Sequence, residues 1–463
     1  MIRKITLLSI ALGLAGCTQT PPPGLRSEDV PATFEQSAPK NAPIWPTSDW
    51  WTSYGDPQLA ALIAAAQTRN LDLAQAEARL RQADAKARQA GAALLPTLGV
   101  NGNVNSLYGS TSGASARETD YSIGLAASYE LDFWGKNRDL ANAAEAARAA
   151  GAADRQTVAL TITGSVASTY FQLLSLRERI AVAQANLQSS QAILRLVQRR
   201  VDAGYAAAAD LTQERANMAA QAAMLPALQQ QELETRDALA ILLGRPPEGF
   251  SITGRNLDGI SAPVAAPGLP SALLTRRPDV ASAEANLVAA HANLEAARTA
   301  FLPNITLNGS GGLQYPALAA AVDTLPGLGF GASIGAALLQ TVFDGGRNEA
   351  VTDEARARED ELLAAYRAAV INAFSDVENA MGSVNHLAAQ EAALQEQVTQ
   401  AEKVLGAARR KYIGGYSDFL TVTDAERSLY NARDQLSDVR RARLTASVTL
   451  YKALGGGFKP PLH

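Results

Sequence analysis

Two long stretches of the chain carry apolar residues at alternating steps of four and three positions. The first stretch lacks proline from Tyr121 until Pro226. Such spacing places the residues on one helical face that packs against neighbours as in a coiled coil. The pattern predicts a helix from Gly135 to Gly204, on the order of 100 Å long at ~1.5 Å per residue. Its seam is Ile162, Val166, Thr169, Leu173, Leu176, Ile180, Ala183, Leu187, Ser190, Leu194, Val197 and Val201.

The second stretch lacks proline from Gly327 to Lys459 and has a similar seam. Ahead of each helix the period changes to two, which is typical of a strand with two different faces. Strands are predicted at about 98–108, 121–132, 305–315 and 328–342, with one apolar and one small or polar face. Residues 109–120 are rich in Ser, Thr and Gly and are expected to form an exposed loop. The second seam is Val370, Phe374, Val377, Met381, Val384 and Ala388.

The chain is an internal duplication, because three motifs recur in the same order at nearly one spacing. Residues 94–98, 132–136 and 199–205 match 301–305, 343–347 and 410–416. The predicted organisation is a signal peptide (1–16), a proline-rich tether (17–58), repeat 1 (59–250, hairpin 97–132), a connector outside the helical body (251–270), repeat 2 (271–457, hairpin 304–342) and a tail (458–463).

The first residues form a targeting segment. Arg3 and Lys4 precede a short apolar run that ends in Leu-Ala-Gly-Cys at 14–17, which is similar to a bacterial lipobox. We expect cleavage before Cys17 and acylation of this only cysteine; the alternative is a plain secretory signal with an incidental cysteine. The tether after it is an extended linker that packs onto the body near Trp45, Trp50, Trp51 and Tyr54.

Composition and motifs argue against several functions. A net charge of -4 leaves no basic surface for nucleic acid. The three histidines, His291, His386 and His463, have no metal-ligand spacing. Neither a phosphate loop nor a nucleophile elbow is present. We therefore expect no enzyme, no metal site and no cofactor other than the covalent lipid on Cys17.

The predicted strands have the ~9–11 residues of a tilted transmembrane strand. Alternation alone leaves a soluble sheet open as an alternative. Because unpaired strand edges are costly in lipid, four strands per chain require several chains to close a barrel. Two chains would leave no channel, whereas three chains with small inward residues would enclose an aqueous one.

The repeated Leu-Pro motif, Phe-Asp-Gly-Gly-Arg at 343–347, Arg-Arg-Pro-Asp at 276–279 and the two Gly-Tyr turns resemble the outer-membrane factor family. The lipobox is similar to its lipoprotein branch, the outer-membrane subunits of RND-type multidrug efflux pumps. The resemblance implies a mainly helical homotrimer, with a 12-stranded β-barrel in the outer membrane continuous with a periplasmic α-barrel. It implies a passive exit duct whose partners are a periplasmic adaptor and an inner-membrane pump.

The resemblance also implies a gate. Leu420, Asp424 and Arg427 share one helical face, and the matching family positions form a constriction. Rings of such residues select by charge and gate by dewetting. Tyr412 is expected to hold helices together across the closed tip. The alternative is that Asp424 and Arg427 are an ordinary surface pair. The periplasmic tip turns are expected at Gly204, Tyr205, Gly415 and Tyr416.

Repeat 1 has Ala209, Gln213 and Ala216 at the positions of the gate residues, so repeat 2 alone would supply the constriction. Two other functions remain open from the sequence. One is a type I secretion or metal-efflux duct with the same fold. The other is a lipid-anchored coiled-coil structural protein without a pore.

Overall fold

A computed structural model of the chain describes residues 23–36, 45–111, 114–263, 265–316 and 329–459. The signal peptide, Cys17 and the end of the tail lie outside the described residues. The helices are α1 (Pro57–Arg69), α2 (Leu71–Ala92), α3 (Lys136–Asp202), α4 (Ala208–Leu242), α5 (Pro270–Leu273), α6 (Pro278–Arg298), α7 (Arg347–Ile413) and α8 (Phe419–Ala453). The strands are β1 (Thr97–Thr111), β2 (Ala114–Glu130), β3 (Asn304–Pro316) and β4 (Gly329–Leu339).

The duplication is visible in the lengths of the helices. Helices α3 and α7 have 67 residues each, and α4 and α8 have 35 residues each. The first predicted helix therefore agrees with α3 to within two residues at each end. All residues of both predicted seams are buried or partly buried, so the four-and-three spacing correctly marked the packed face of each long helix. Within the described ranges, no helix combines the length and hydropathy that crossing a membrane requires.

The chain divides into two compact units, which are treated separately below. The sheet unit comprises Arg81–Ala150 and Ala283–Tyr366, with the described residues up to Leu25. The helical unit comprises Arg26–Leu80, Gly151–Ser282 and the described residues from Arg367 onwards.

The sheet unit contains one antiparallel sheet in the order β1-β2-β3-β4. Paired residues lie on the same face, and the pairs Val100–Leu125, Ile123–Leu313 and Leu313–Phe330 place the apolar side chains together. The opposite face is small and polar, with a hydrogen bond of 3.0 Å from Ser128 to Asn308. The predicted two-faced strands are confirmed. The exposed large apolar residues on the apolar face are Leu98, Val100, Val104, Tyr108, Tyr121, Ile123, Leu125, Leu307, Leu313, Phe330, Ile334 and Leu338.

The expected loop at 109–120 is wrong. β1 continues to Thr111 and β2 starts at Ala114, so this polar segment is part of the first hairpin, with Gly109 paired to Ala116. Backbone hydrogen bonds between neighbouring strands extend a hairpin wherever the side chains permit it, and they require no apolar periodicity. The second hairpin ends earlier than expected, since β4 stops at Leu339 rather than at position 342.

An aspartate stands between strand and long helix in both repeats. The Asp132 carboxylate accepts the backbone N–H groups of Asn137 and Arg138 at 2.9 and 2.8 Å. The Asp344 carboxylate accepts those of Gly346 and Asn348 at 3.0 and 2.9 Å. The first N–H groups of a helix lack partners within the helix, so each carboxylate stabilises the start of a long helix. Both repeats thus use an aspartate at the start of the long helix, although Asp344 lies one position later than the residue matched to Asp132.

In the helical unit, the end of the tether packs down as expected. Trp50 and Tyr54 are buried, and the Trp50 ring stacks on Tyr451 with 5.1 Å between centroids. The Tyr54 hydroxyl donates to Ser447 at 3.0 Å. These aromatic rings bury a large apolar area, so they fix the chain entering α1 against the end of α8.

The connector lies closer to the helices than expected. It is largely non-helical, but Arg177 of α3 donates to the carbonyl oxygens of Ile252 and Gly254 at 3.0 and 2.6 Å. Ile252 and Leu257 are buried. The expectation of a segment outside the helical body is therefore wrong, because apolar side chains within a Gly- and Pro-rich segment still gain from burial.

The Arg-Arg-Pro-Asp motif joins three helices of the helical unit. Arg277 is 8% exposed and donates to Asp279 at 3.0 and 2.6 Å at the start of α6. It also donates to Asp376 of α7 at 2.9 Å and to the carbonyl oxygen of Ala453 at the end of α8 at 3.2 Å. Because an unpaired buried charge is costly, these acceptors hold the three helices in one arrangement around the arginine.

Candidate gate at the helix turns

Two turns of the same geometry connect the paired helices of the helical unit. Gly204 and Gly415 have φ values of +77° and +80°. The N–H of Tyr205 donates to the carbonyl of Arg200 at 2.8 Å, and that of Tyr416 to the carbonyl of Lys411 at 2.9 Å. This left-handed glycine followed by a bond back across the last turn is a Schellman-type helix end. The predicted turn residues are thus located at turns, and Tyr205 and Tyr416 are exposed.

The three predicted gate residues lie on one exposed face of α8. Leu420 is 59% exposed, and Arg427 donates to Asp424 at 3.0 Å. Leu420 and Asp424 line an open groove of about 580 Å³ together with residues of α7, among them Val404. The structure therefore brings Leu420, Asp424 and Arg427 together. An exposed ion pair of this kind contributes little to stability, which leaves its side chains available for other contacts.

Tyr412 lies apart from this face. Its side chain is 5% exposed, with the Arg200 guanidinium 4.6 Å from the ring centroid and the Phe419 ring 5.6 Å away. Arg200 also donates to the backbone oxygen of Tyr412. Burial raises the pKa of the Tyr412 hydroxyl, which has no hydrogen-bond partner among the described residues. Tyr412 thus connects α3, α7 and α8 within one chain, through a cation–π contact and ring packing.

The two turns differ in how the following helix begins. Asp418 caps α8: its carboxylate accepts the N–H of Thr421 at 3.0 Å and the Thr421 hydroxyl at 2.6 Å. These bonds lower the pKa of Asp418. Ala207 occupies the corresponding position before α4 and offers no side-chain cap. The second turn therefore has a better anchored helix start and carries the charged pair.

The structure also locates ionisable residues that the sequence pattern did not single out. Glu214 of α4 and Glu426 of α8 are 0% and 2% exposed. A carboxylate on the packed face of a helix is a departure from the apolar pattern, and this departure is the signal that could have identified them. In the part of the chain that the structure describes, no group of three or more His, Cys, Asp or Glu residues could hold a metal ion.

A sheet with one exposed apolar face, followed in each repeat by a long helix, is typical of a membrane protein whose strands contact lipid. A family model described as outer membrane efflux protein matches residues 62–245 and 269–456. The chain belongs to this family, and it is an outer-membrane efflux channel protein rather than an enzyme. The resemblance noted from the sequence is confirmed.

Relatives and solved structures cover nearly the whole chain. Pyoverdine export outer membrane protein OpmQ of Pseudomonas putida is 39% identical over 99% of this chain and 98% of its own length. Cation efflux system protein CusC of Escherichia coli O6:H1 is 30% identical over 98% of this chain and 99% of its own. The structure of the outer-membrane channel OprN has a TM-score of 0.87 at 28% identity, covering 94% of this chain and 99% of OprN.

Proposed function

We propose that three copies of this chain close a twelve-stranded barrel in the outer membrane and form the exit duct of a tripartite efflux system. The observation that supports this best is the sheet itself. β1 and β4 are its outer strands, and its apolar face is exposed. In lipid each unpaired N–H or C=O group costs several kcal/mol. Sister copies that pair β4 of one chain with β1 of the next remove that cost.

The small polar face supports three copies rather than two. Eight strands enclose an interior that side chains fill, whereas twelve leave room for water. The small or polar residues facing the lumen include Asn101, Ser122, Gly124, Ser310 and Gly312. Small polar side chains keep such a lumen open and wet.

Two measurements on the purified, detergent-solubilised protein test this assembly. Native mass spectrometry is expected to give three copies, and the same preparation is expected to form pores in a planar lipid bilayer. A stable monomer without pores would contradict the duct and would favour the lipid-anchored structural protein considered from the sequence.

The proposed gate is formed by the exposed face of α8 that carries Leu420, Asp424 and Arg427. Three Leu420 side chains around an axis form an apolar constriction, and three Asp424 side chains form a ring of negative charge. Arg427 donates to Asp424 at 3.0 Å, so each negative charge of the ring has a positive charge one helical turn away. Tyr412, buried beside Arg200, supports the helix ends from behind.

We further propose that the inner-membrane pump selects the cargo and a periplasmic adaptor connects it to this duct. The relative named for pyoverdine export is 39% identical and the relative named for cation efflux is 30% identical, which favours a small organic cargo; metal ions are the second candidate. Deletion of the gene is expected to raise susceptibility to amphiphilic drugs or dyes, or to abolish export of a compound similar to pyoverdine. Metal sensitivity alone would favour the second candidate, and loss of a secreted protein would indicate type I secretion.

The lipid on Cys17 is a separate part of the proposal. The apolar run followed by Leu-Ala-Gly-Cys at 14–17 supports cleavage before Cys17 and acylation of its thiol. Acyl chains strengthen membrane attachment in proportion to their buried CH₂ groups. A Cys17→Ser variant is expected to lose incorporation of labelled palmitate. Retained labelling would contradict the assignment.

A further inference from the structure

Two buried carboxylates lie near the ends of α4 and α8 in the helical unit. Glu426 of α8 accepts hydrogen bonds from Arg409 Nη2 of α7 at 2.6 Å and from Ser189 Oγ of α3 at 3.0 Å. Arg409 also donates to the Ser189 hydroxyl. Glu426 therefore has an ion-pair partner, while its second oxygen, Oε2, has no hydrogen-bond partner among the described residues.

Glu214 of α4 has fewer and weaker hydrogen-bond partners than Glu426. Its Oε2 accepts from Asn217 Nδ2 at 3.3 Å, a long hydrogen bond from a neutral donor. Its Oε1 is buried without a hydrogen-bond partner in the described part of the chain. A buried carboxylate in this setting is more stable when protonated, because burial penalises the charged form.

The groups around Glu214 act on its protonation in both directions. α8 contributes the like charge of Glu426, and Arg409 of α7 pairs with Glu426 rather than with Glu214. α3 contributes the Ser190 hydroxyl, which also donates to Gln221 of α4 at 2.9 Å, and α4 itself contributes Asn217. Burial is the largest cause, and together with the Glu426 charge it outweighs the opposing contacts of Asn217 and Ser190, so the pKa of Glu214 is raised from 4.5 to about 7.

We propose that Glu214 is a proton-binding site whose occupancy controls how firmly α4 packs against α8 beside the helix turns. With the proton bound, the pair carries a single negative charge, which Arg409 neutralises. Without it, two buried carboxylates share one arginine, and the packing of α4 is weakened. Arg409 and Ser189 also line an open cleft of about 340 Å³, so the cluster borders solvent on that side.

The direction of the pH effect follows from linkage. Below pH 4.5 the Glu214 carboxyl is protonated in the folded and in the unfolded chain, and its packing contribution is fully present. As the pH rises through about 7, the folded chain loses the proton and the contribution disappears. The packing of α4 against α8 is therefore more stable at acidic pH than at alkaline pH.

Glu426 belongs to the segment that carries Asp424 and Arg427, so this inference extends the proposed function and its effect on the pore rests on it. In the duct, loss of the proton from Glu214 loosens the α4–α8 packing behind the constriction. The pore is thus expected to open more readily at alkaline pH.

Hydrogen exchange of residues 208–222, corrected for the intrinsic pH dependence of exchange, tests the site on the full-length protein between pH 5.5 and 8.5. Protection of the wild type is expected to fall by up to about tenfold per pH unit as the pH rises from 5.5 towards the pKa of Glu214, and to level off above about 7, where the carboxyl is deprotonated in the closed and the open chain alike. Glu214→Gln is expected to keep the protection of the acidic state at every pH. The matched control is Glu234→Gln, an exposed carboxylate on the same helix, and it is expected to behave as the wild type.

A second variant tests whether the charge of Glu426 contributes to the raised pKa of Glu214. Glu426→Gln removes the like charge and frees Arg409, so the pH above which protection levels off is expected to shift from about 7 towards 4.5, the ordinary value for the carboxyl of Glu214. A Glu214→Gln protein that retains the wild-type pH profile, or that loses protection at every pH, would overturn the proposal.

Exchange measures the packing of α4 without requiring a pore. If exchange depends on pH but the protein shows no conductance, the proposed function is contradicted. The proton site at Glu214 is still supported in that case. Conductance that rises with pH in the wild type and stays constant in Glu214→Gln would support both.

Discussion

The two helix turns share one backbone geometry and differ in the side chains that follow. Both have a left-handed glycine, Gly204 or Gly415, and an exposed tyrosine after it. Beyond them, repeat 2 has a capping aspartate, an exposed leucine and an ion pair. At the corresponding positions repeat 1 has Ala207, Ala209, Gln213 and Ala216.

This difference shows which features the duplication retained. The turn geometry depends on glycine, since other residues reach the left-handed region only at a cost. The exposed α8 face is under no such packing constraint, so its side chains were free to diverge. A conserved backbone with divergent exposed side chains indicates that the two turns share a structural role and that the second has an additional one.

The largest expected effect concerns the contact between the repeats within the sheet. β2 of repeat 1 pairs with β3 of repeat 2, and a Cβ on Gly312 would lie 2.6 Å from the Gly124 Cα and from the Ile123 carbonyl oxygen. Gly312→Val is expected to destabilise the sheet by about 3 kcal/mol or more, at the upper end of overpacking effects, and to abolish the assembled protein on a non-denaturing gel.

The control for that variant is Gly335→Val on the same face of the sheet, where a Cβ meets no atom within 4 Å. This control is expected to assemble. Normal assembly of Gly312→Val would contradict the close approach of the two hairpins.

The next effect separates the two turns functionally. Asp424→Ala is expected to raise single-channel conductance severalfold, because it removes a ring of charge at the proposed constriction. The matched change in repeat 1, Gln213→Ala, is expected to leave conductance unchanged. Planar bilayer recording of both variants provides the comparison, and equal conductance in the two would count against the gate assignment.

A smaller effect tests what the turns have in common. Gly204→Ala and Gly415→Ala each place a Cβ on a residue with positive φ, and each is expected to destabilise the helix ends by about 1 kcal/mol. Because the backbone geometry is the same, the two variants are expected to lower the thermal unfolding temperature equally. If one of the two substitutions leaves the thermal unfolding temperature unchanged, the two turns differ in conformation.

The smallest effect concerns the cap of α8. The lowered pKa of Asp418 means that its contribution is present above 3.8 and is lost as the pH falls through its folded-state pKa. Asp418→Asn keeps a capping oxygen without the charge, and hydrogen exchange at Thr421 in this variant is expected to lose its dependence on acidic pH. The converse change, Ala207→Asp, is expected to increase protection at the start of α4.

Much of the fold followed from local patterns. The seams along α3 and α7 predicted the long helices, and the period of two predicted the strands and their two faces. Counting positions from the turn glycines placed the tyrosines at the turns. The same count placed the three gate residues on one face of the following helix. The role of the gate residues as a constriction remains a prediction.

Other features depend on residues that are distant in the sequence. β1 and β2 extend through 109–111 and 114–120 because each strand provides hydrogen-bond partners for the other. The connector packs because Arg177 reaches it from α3. The Glu214–Glu426 pair exists because α4 and α8 of different repeats become neighbours.

The sequence by itself determined the order of elements, the duplication and the face that each element buries. These are properties of spacing along the chain, with periods of 3.5–3.6 residues for helices and 2 for strands. Tertiary structure alone decided the pairing of β2 with β3, the extent of the first hairpin and the environment of the buried carboxylates. The physical reason is that strand pairing and desolvation depend on contacts between groups that are distant in the sequence. The spacing of residues along a single segment contains no information about those contacts.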